Sequence, residues 1–179
     1  IAFEINQSKI FASDKISFKD FGLISIMYHR FDESKYPSTN IQLDVFKEQL
    51  DIIERENIKF IHPKDFGESL TQNKKQRKIL FTVDDGLLSF YENAWPILKT
   101  KRIPFILFVN TREVGSFNYM NWDQIRELQN SGVTIGSQTK SHPHMHRLSP
   151  IKVEQEIALS NDRFLEETGQ YPKLFAYPY

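Results

Sequence analysis

Short apolar runs alternate with longer amphipathic ones along the whole chain. Leu23-Ile24-Ser25-Ile26-Met27-Tyr28 is a nearly continuous apolar run bounded by Gly22 and the polar pair His29-Arg30, the pattern of a buried strand. Across residues 43–57, Phe46, Leu50 and Ile53 recur at helical spacing and give a helix one apolar face. Residues 58–61 predict a second short strand, residues 64–70 a weak helical turn, and the polar, basic stretch 71–78 a solvated loop. Ile79-Leu80-Phe81-Thr82-Val83 is a strong strand running straight into Asp84-Asp85-Gly86. A helix over residues 95–101 tolerates Pro96 only in its first turn. The apolar run 105–109 predicts the next strand. Asn121 as N-cap with Gln124 at the third helical position predicts a helix that Gly132 stops, and Val133-Thr134-Ile135-Gly136 a strand after it. Ser149-Pro150 opens a helix with Val153, Ile157 and Phe164 on its apolar face and Gly169 at its end. Leu174-Phe175-Ala176-Tyr177 predicts a last strand.

This β, α, β, α order points to an α/β fold with a mostly parallel sheet covered by helices. The pattern alone leaves a closed barrel and an open doubly wound sheet both standing. No G-x-G-x-x-G follows a strand, which argues against dinucleotide binding. A full barrel takes ~200 to 250 residues. The 179 residues carry six strand signals and stop on the sixth. The expectation is one domain over residues 1–179 whose C-terminal part lies beyond Tyr179. The opening IAFEINQSKI, with neither initiator Met nor basic region, reads as a processed or engineered start.

Composition narrows the chemistry. The 23 Lys+Arg balance the 23 Asp+Glu, so no global basic field exists to hold a phosphate backbone, and nucleic acid is not the expected partner. No cysteine is present, which removes disulfides, thiolate zinc sites and a cysteine nucleophile. No apolar run approaches the ~20 residues of a membrane-spanning helix. Fifteen Phe and a 40% hydrophobic content indicate a packed core.

Reactive residues of parallel α/β folds cluster just past the C-terminal ends of strands. That rule selects Tyr28-His29-Arg30, Asp84-Asp85-Gly86, the stretch 137–146 and Tyr177-Pro178-Tyr179. Adjacent carboxylates at the mouth of an apolar strand repel unless a positive group lies beside one of them. A divalent metal resolves this, with one Asp as ligand and the other as base; an Asp-Asp-Gly turn capping a helix is the plainer alternative. The stretch 137–146 holds His142, His144 and His146, three of the five histidines, and Pro143 makes it a loop. Alternate histidines in an extended loop suit a metal; a solvated polar loop explains them equally well. Trp95, Trp122, Phe117 and Tyr119 either stack on a sugar ring or belong to the core.

In this order, the segments resemble the polysaccharide deacetylase family of carbohydrate esterases. Phe81-Thr82-Val83-Asp84-Asp85-Gly86 is similar to its T-F-D-D-G signature, residues 137–144 to its H-[ST]-x-x-H-P segment, and Phe175-Ala176-Tyr177-Pro178-Tyr179 to its R-x-P-Y motif. Ile26-Met27-Tyr28-His29-Arg30 resembles the entry region of bacterial members acting on N-acetylglucosamine exopolysaccharides. The resemblance implies a distorted parallel β/α (TIM-like) barrel and metal-dependent removal of N-acetyl groups from a glycan, with zinc as the expected metal and cobalt or nickel as substitutes. It implies Asp84 as general base, Asp85 and His142 as metal ligands, and the Tyr179 backbone N–H as oxyanion donor. His29, His144 and Tyr177 are candidates for substrate binding. An extracytoplasmic or cell-envelope setting is implied by the family alone.

Three positions depart from the family pattern. Gln138 stands where the first metal histidine belongs; its amide oxygen is a neutral and harder ligand than imidazole, which lowers the expected zinc affinity. Ala176 replaces the arginine that orients the base. The later motifs, including the histidine that protonates the leaving amine, fall beyond Tyr179. Two other readings therefore stand beside the deacetylase: a glycan-binding relative without turnover, and a related hydrolase of non-peptide C–N bonds.

Overall fold

The computed structural model describes residues 22–71 and 76–179. The start of the chain and residues 72–75 of the basic stretch expected as a solvated loop lie outside the described residues; the ends of that stretch, Thr71 and Lys78, belong to a helix and a strand. The elements are β1 (Leu23–Tyr28), β2 (Arg30–Phe31), β3 (Asn40–Ile41), α1 (Leu43–Arg55), β4 (Lys59–Phe60), α2 (Phe66–Thr71), β5 (Lys78–Val83), α3 (Trp95–Lys101), β6 (Phe105–Val109), α4 (Trp122–Asn130), β7 (Thr134–Ser137) and α5 (Pro150–Thr168).

Among the described residues every strand ladder is parallel, with one isolated antiparallel bridge between Leu87 and Tyr119. β1 pairs with β5 along its whole length, from Leu23 opposite Lys78 to Tyr28 opposite Val83. β4 pairs with the start of β5 and β6 with its end, and β7 continues the sheet beyond β6. β5 is the hub, which explains its largely apolar sequence: residues 79–83, Thr82 included, are all buried. Strand ends are tied as well as strand bodies, since the Asp84 N–H donates to the Tyr28 carbonyl at 2.9 Å. The C-terminal ends of β1, β5, β6 and β7 therefore lie side by side, and the residues that follow each share one edge of the sheet.

The helices follow the sequence signals closely. Phe46, Leu50 and Ile53 are the buried residues of α1. Asn121 and Gln124 form a reciprocal capping box at the start of α4. The helix before Pro96 is wound as a π turn over Phe90–Ala94, ahead of α3. Tyr28, Phe31, Phe46, Phe81, Phe90 and Phe105 form an aromatic cluster and meet mostly edge-to-face at centroid distances of 5.0 to 5.8 Å. Trp95 and Trp122 belong to this core rather than to a sugar platform.

Three elements differ from the sequence reading. β1, expected as a buried strand, buries only Tyr28, with Ile24 43% and Met27 60% exposed. The expected last strand is reduced to one bridge, Phe175 against Ser137, carried by the Ser137 N–H to Leu174 carbonyl bond (2.9 Å) and the Ala176 N–H to Ser137 carbonyl bond (3.0 Å). Pro172 and Pro178 bracket the segment, and neither has an N–H with which to extend the ladder. The small parallel pair β2–β3 was not legible, because two-residue strands show no periodicity. The expected parallel β/α sheet is observed; among the described residues its ladders run β1-β5-β6-β7, with β4 also paired to β5.

Candidate active site

The shared edge opens into a cleft of about 500 Å³ lined by residues from all four strand ends, among them His29, Asp84, Asp85, Asn110, Gln138 and His142. Asp84 forms the floor and is 6% exposed. Burial and then the neighbouring Asp85 carboxylate push its pKa up to about 7, while a hydrogen bond from Gln138 works in the opposite direction. Asp85 follows at φ +73° and Gly86 at φ +69°, so the chain turns sharply out of β5 in left-handed backbone. That conformation is easy for glycine and uncommon for aspartate.

Gln138 lies just beyond β7, 2% exposed, and its amide has a partner at each end. Its Nε2 donates to Asp84 Oδ2 at 3.1 Å, and its Oε1 accepts from the Asp85 N–H at 3.1 Å. His142 takes the other side of the pair, with Nε2 3.3 Å from Asp85 Oδ1. Its backbone is left-handed (φ +54°), as is that of Thr139 (φ +69°). The loop is pinned from two directions. The Thr139 hydroxyl accepts from the His142 N–H at 3.0 Å. Glu156 of α5 accepts from both the N–H and the hydroxyl of Ser141 at 2.7 Å.

Among the described residues, three buried side-chain polar atoms have no hydrogen-bond partner: Asp84 Oδ1, Asp85 Oδ1 and Asn110 Oδ1. All three residues line this cleft. Each such atom costs about 1–3 kcal/mol when left dry and unpaired, so the cleft is shaped for something that brings donors or positive charge.

A divalent cation meets part of that demand. Asp85 Oδ1 and His142 Nε2 already converge, one anionic and one imidazole donor, a pairing suited to zinc and its neighbours. Gln138 Oε1 already accepts from the Asp85 N–H, which leaves that oxygen one further lone pair. His144 and His146 have contacts outside the Asp85–His142 pair. His144 stacks on the Tyr179 ring at 3.8 Å, and His146 Nε2 accepts from Arg147. No cluster of three or more His, Cys, Asp or Glu able to hold a metal occurs among the described residues.

The rim is aromatic. Tyr177 and Tyr179 line the cleft at 74% and 81% exposure, and the Tyr179 ring also meets His142 edge-on at 4.9 Å. His29 lines the cleft, whereas His144 stands behind Tyr179. Burial lowers the His29 pKa, against the opposing pull of Asp85. Opposite, Arg30 pairs with Glu33 at 3.1 Å and lies over the Tyr36 ring at 4.2 Å, forming a wall. Tyr119 reaches the cleft because residues 115–120 fold onto the Asp-Asp-Gly turn, where the Met120 N–H donates to the Gly86 carbonyl at 2.9 Å. Phe117, on the same loop, is 90% exposed and outside the cleft lining. Asn110 was missed by sequence reasoning, although it directly follows an apolar strand and the strand-end rule applies to it as it does to Asp84.

The profile of the polysaccharide deacetylase family matches residues 71–179, more than half of the chain. The chain belongs to the polysaccharide deacetylase family. The structure of IcaB from Ammonifex degensii is similar at 30% identity and a TM-score of 0.79, over 89% of this chain and 75% of that one. The Streptococcus pyogenes deacetylase PplD, solved in complex with acetate, is similar at 25% identity and a TM-score of 0.77, over 87% of this chain and 73% of that one. The poly-β-1,6-N-acetyl-D-glucosamine N-deacetylase of Staphylococcus aureus (strain MRSA252) is 27% identical over 177 residues. That alignment covers 89% of this chain and 61% of the enzyme, and the chain spans between 55% and 61% of the length of the first curated relatives it matches. No helix among the described residues is long and apolar enough to cross a membrane.

Proposed function

We propose that this polysaccharide deacetylase relative hydrolyses the N-acetyl groups of an N-acetylglucosamine polymer, releasing acetate. The observation that carries the reading is the Asp84–Asp85 pair, one carboxylate clamped by Gln138 and the other facing His142 across 3.3 Å. Asp84 is the base: its Oδ2 is held by the Gln138 amide, and its free Oδ1 is left to accept a proton from the attacking water. Asp85 and His142 would hold a divalent cation, most readily zinc, with cobalt or nickel as substitutes. Such a cation acidifies water and polarises an amide carbonyl. Gln138 stays outside that set and serves Asp84. The Tyr179 N–H is the proposed donor to the developing oxyanion, a role whose loss typically costs ~10²–10³ in rate. Tyr177 and Tyr179 offer ring faces to the sugars at the mouth, and His29 offers a further polar contact.

The test is acetate release from β-1,6-linked and β-1,4-linked N-acetylglucosamine oligomers, with metal content measured on the same protein, on Asp85→Ala and on His142→Ala. Release that disappears together with the metal in both variants supports the reading. Oligomer binding without acetate release, in protein that takes up no zinc, cobalt or nickel, overturns it in favour of a glycan-binding relative. The engaged amide of Gln138 favours that second reading.

A further inference from the structure

Of the three unpaired buried oxygens, two have work in the proposed reaction: Asp84 Oδ1 takes a proton and Asp85 Oδ1 faces the cation position. Asn110 Oδ1 has none. Its residue is 2% exposed and lines the cleft beside the two aspartates. Its place is fixed by the sheet. Asn110 follows the last residue of β6, whose Val109 carbonyl accepts the Gln138 N–H at 3.0 Å, and the next residue, Thr111, donates to the Thr139 carbonyl at 3.3 Å. The Asn110 carbonyl in turn accepts from Glu113 at 3.4 Å, closing the turn that leaves the strand.

A buried amide oxygen kept without a partner is a loss to the free protein, of about 1–3 kcal/mol. Such a loss is tolerated where a ligand later supplies the missing donor. An acetamido group carries one acceptor, its carbonyl oxygen, and one donor, its N–H. The carbonyl oxygen needs donors or a cation, which the proposed reaction supplies at Tyr179 and at the Asp85–His142 pair. The N–H needs an acceptor that is neither a base nor a metal ligand, and that stays neutral at every pH. Asn110 Oδ1 has those properties.

Resting on the deacetylase reading above, we propose that Asn110 is a substrate-orienting residue whose Oδ1 accepts the hydrogen bond of the acetamido N–H, so that the cleft selects N-acetyl over O-acetyl sugars. The bond places the scissile carbonyl carbon over Asp84 and gives the nitrogen a defined orientation as it becomes the leaving amine.

The experiment compares wild type with Asn110→Leu, a replacement of similar shape that removes the acceptor. Each is assayed on N-acetylglucosamine oligomers and on the matching 2-O-acetyl glucosides, which keep the sugar hydroxyls but lack the N–H. A kcat/KM lowered about tenfold on the N-acetyl substrate, the size of one lost hydrogen bond, and within twofold of wild type on the ester supports the assignment. The Tm of Asn110→Leu is then expected at or above that of wild type, since an unpaired buried oxygen has been replaced by methyl groups. Equal loss on both substrates, or no loss on either, overturns it. If wild type releases acetate from neither substrate, the deacetylase reading fails by itself, and Asn110 is judged from calorimetric binding of the N-acetylglucosamine tetramer. Binding about tenfold weaker in Asn110→Leu keeps the acceptor role, and equal binding removes it.

Discussion

The floor and the rim of the cleft are built on different physical terms. Asp84, Asn110 and Gln138 on the floor are each at least 94% buried and sit directly after a strand, so the ladders of β5, β6 and β7 set their positions. Tyr177 and Tyr179 on the rim are 74% and 81% exposed, on a segment that joins the ladders through a single bridge among the described residues. The floor holds charge and unpaired acceptors in fixed geometry, as chemistry requires. The rim holds exposed rings at the mouth, with Tyr179 already stacked on His144. His142 lies between the two: it stands in a loop, but Thr139 and the Ser141–Glu156 pair give it a floor residue's constraint.

If the comparison holds, substitutions on the floor change rate or metal affinity, and those on the rim change oligomer binding. The largest effect is expected from Asp84→Asn, which should lower kcat by about 10²–10⁴ while leaving metal content unchanged; turnover retained in that variant would remove Asp84 as the base. Next is Glu156→Ala on α5, outside the cleft lining. By releasing Ser141 it should loosen His142 and weaken zinc binding by about 10–100-fold, read by calorimetry with circular dichroism unchanged. Unaltered zinc affinity would place the control of His142 elsewhere. Gln138→His tests whether position 138 faces the metal. It should tighten zinc binding if an imidazole there reaches the cation, and leave affinity unchanged if the position serves only Asp84.

The acid–base behaviour of the floor supplies a further test. With the pKa of Asp84 raised to about 7, its ionisation is unfavourable in the folded protein. The associated stability is present in full below the ordinary aspartate range and is lost as pH rises through about 7. Metal-free wild type should therefore lose Tm between about pH 4 and 7 relative to Asp84→Asn, measured by thermal unfolding across that range. A deacetylase using ionised Asp84 gains rate over the same interval. The smallest effect is expected at the rim, where Tyr177→Ala should weaken oligomer binding about two- to tenfold, from ~0.5–1.5 kcal/mol per aromatic contact, with kcat unchanged.

Much of the fold was legible because its signals are local. The apolar run 79–83 and the helical spacing of Phe46, Leu50 and Ile53 each need only neighbouring residues, and both elements form where expected. The capping box of Asn121 and Gln124 is equally local. The C-terminal run 174–177 read as a strand for the same local reason and failed for a non-local one, because a ladder needs a partner with free donors along its length and proline lacks the N–H. Of the candidate site, Asp84, Asp85, Gln138 and His142 were legible through motif order, and the fold does bring them together.

The sequence by itself determined the alternation of strands and helices, the pair of carboxylates after the central strand, and the neutral Gln138 in a histidine's place, since each is written in consecutive residues. The tertiary structure alone decided what those residues do to one another. The turn of Gln138 toward Asp84 and the Asp85 N–H depends on distances between segments more than fifty residues apart, and the isolation of Asn110 Oδ1 also depends on what the fold places around it. Hydrogen bonds and unpaired acceptors are properties of pairs in space, and chain spacing does not carry them.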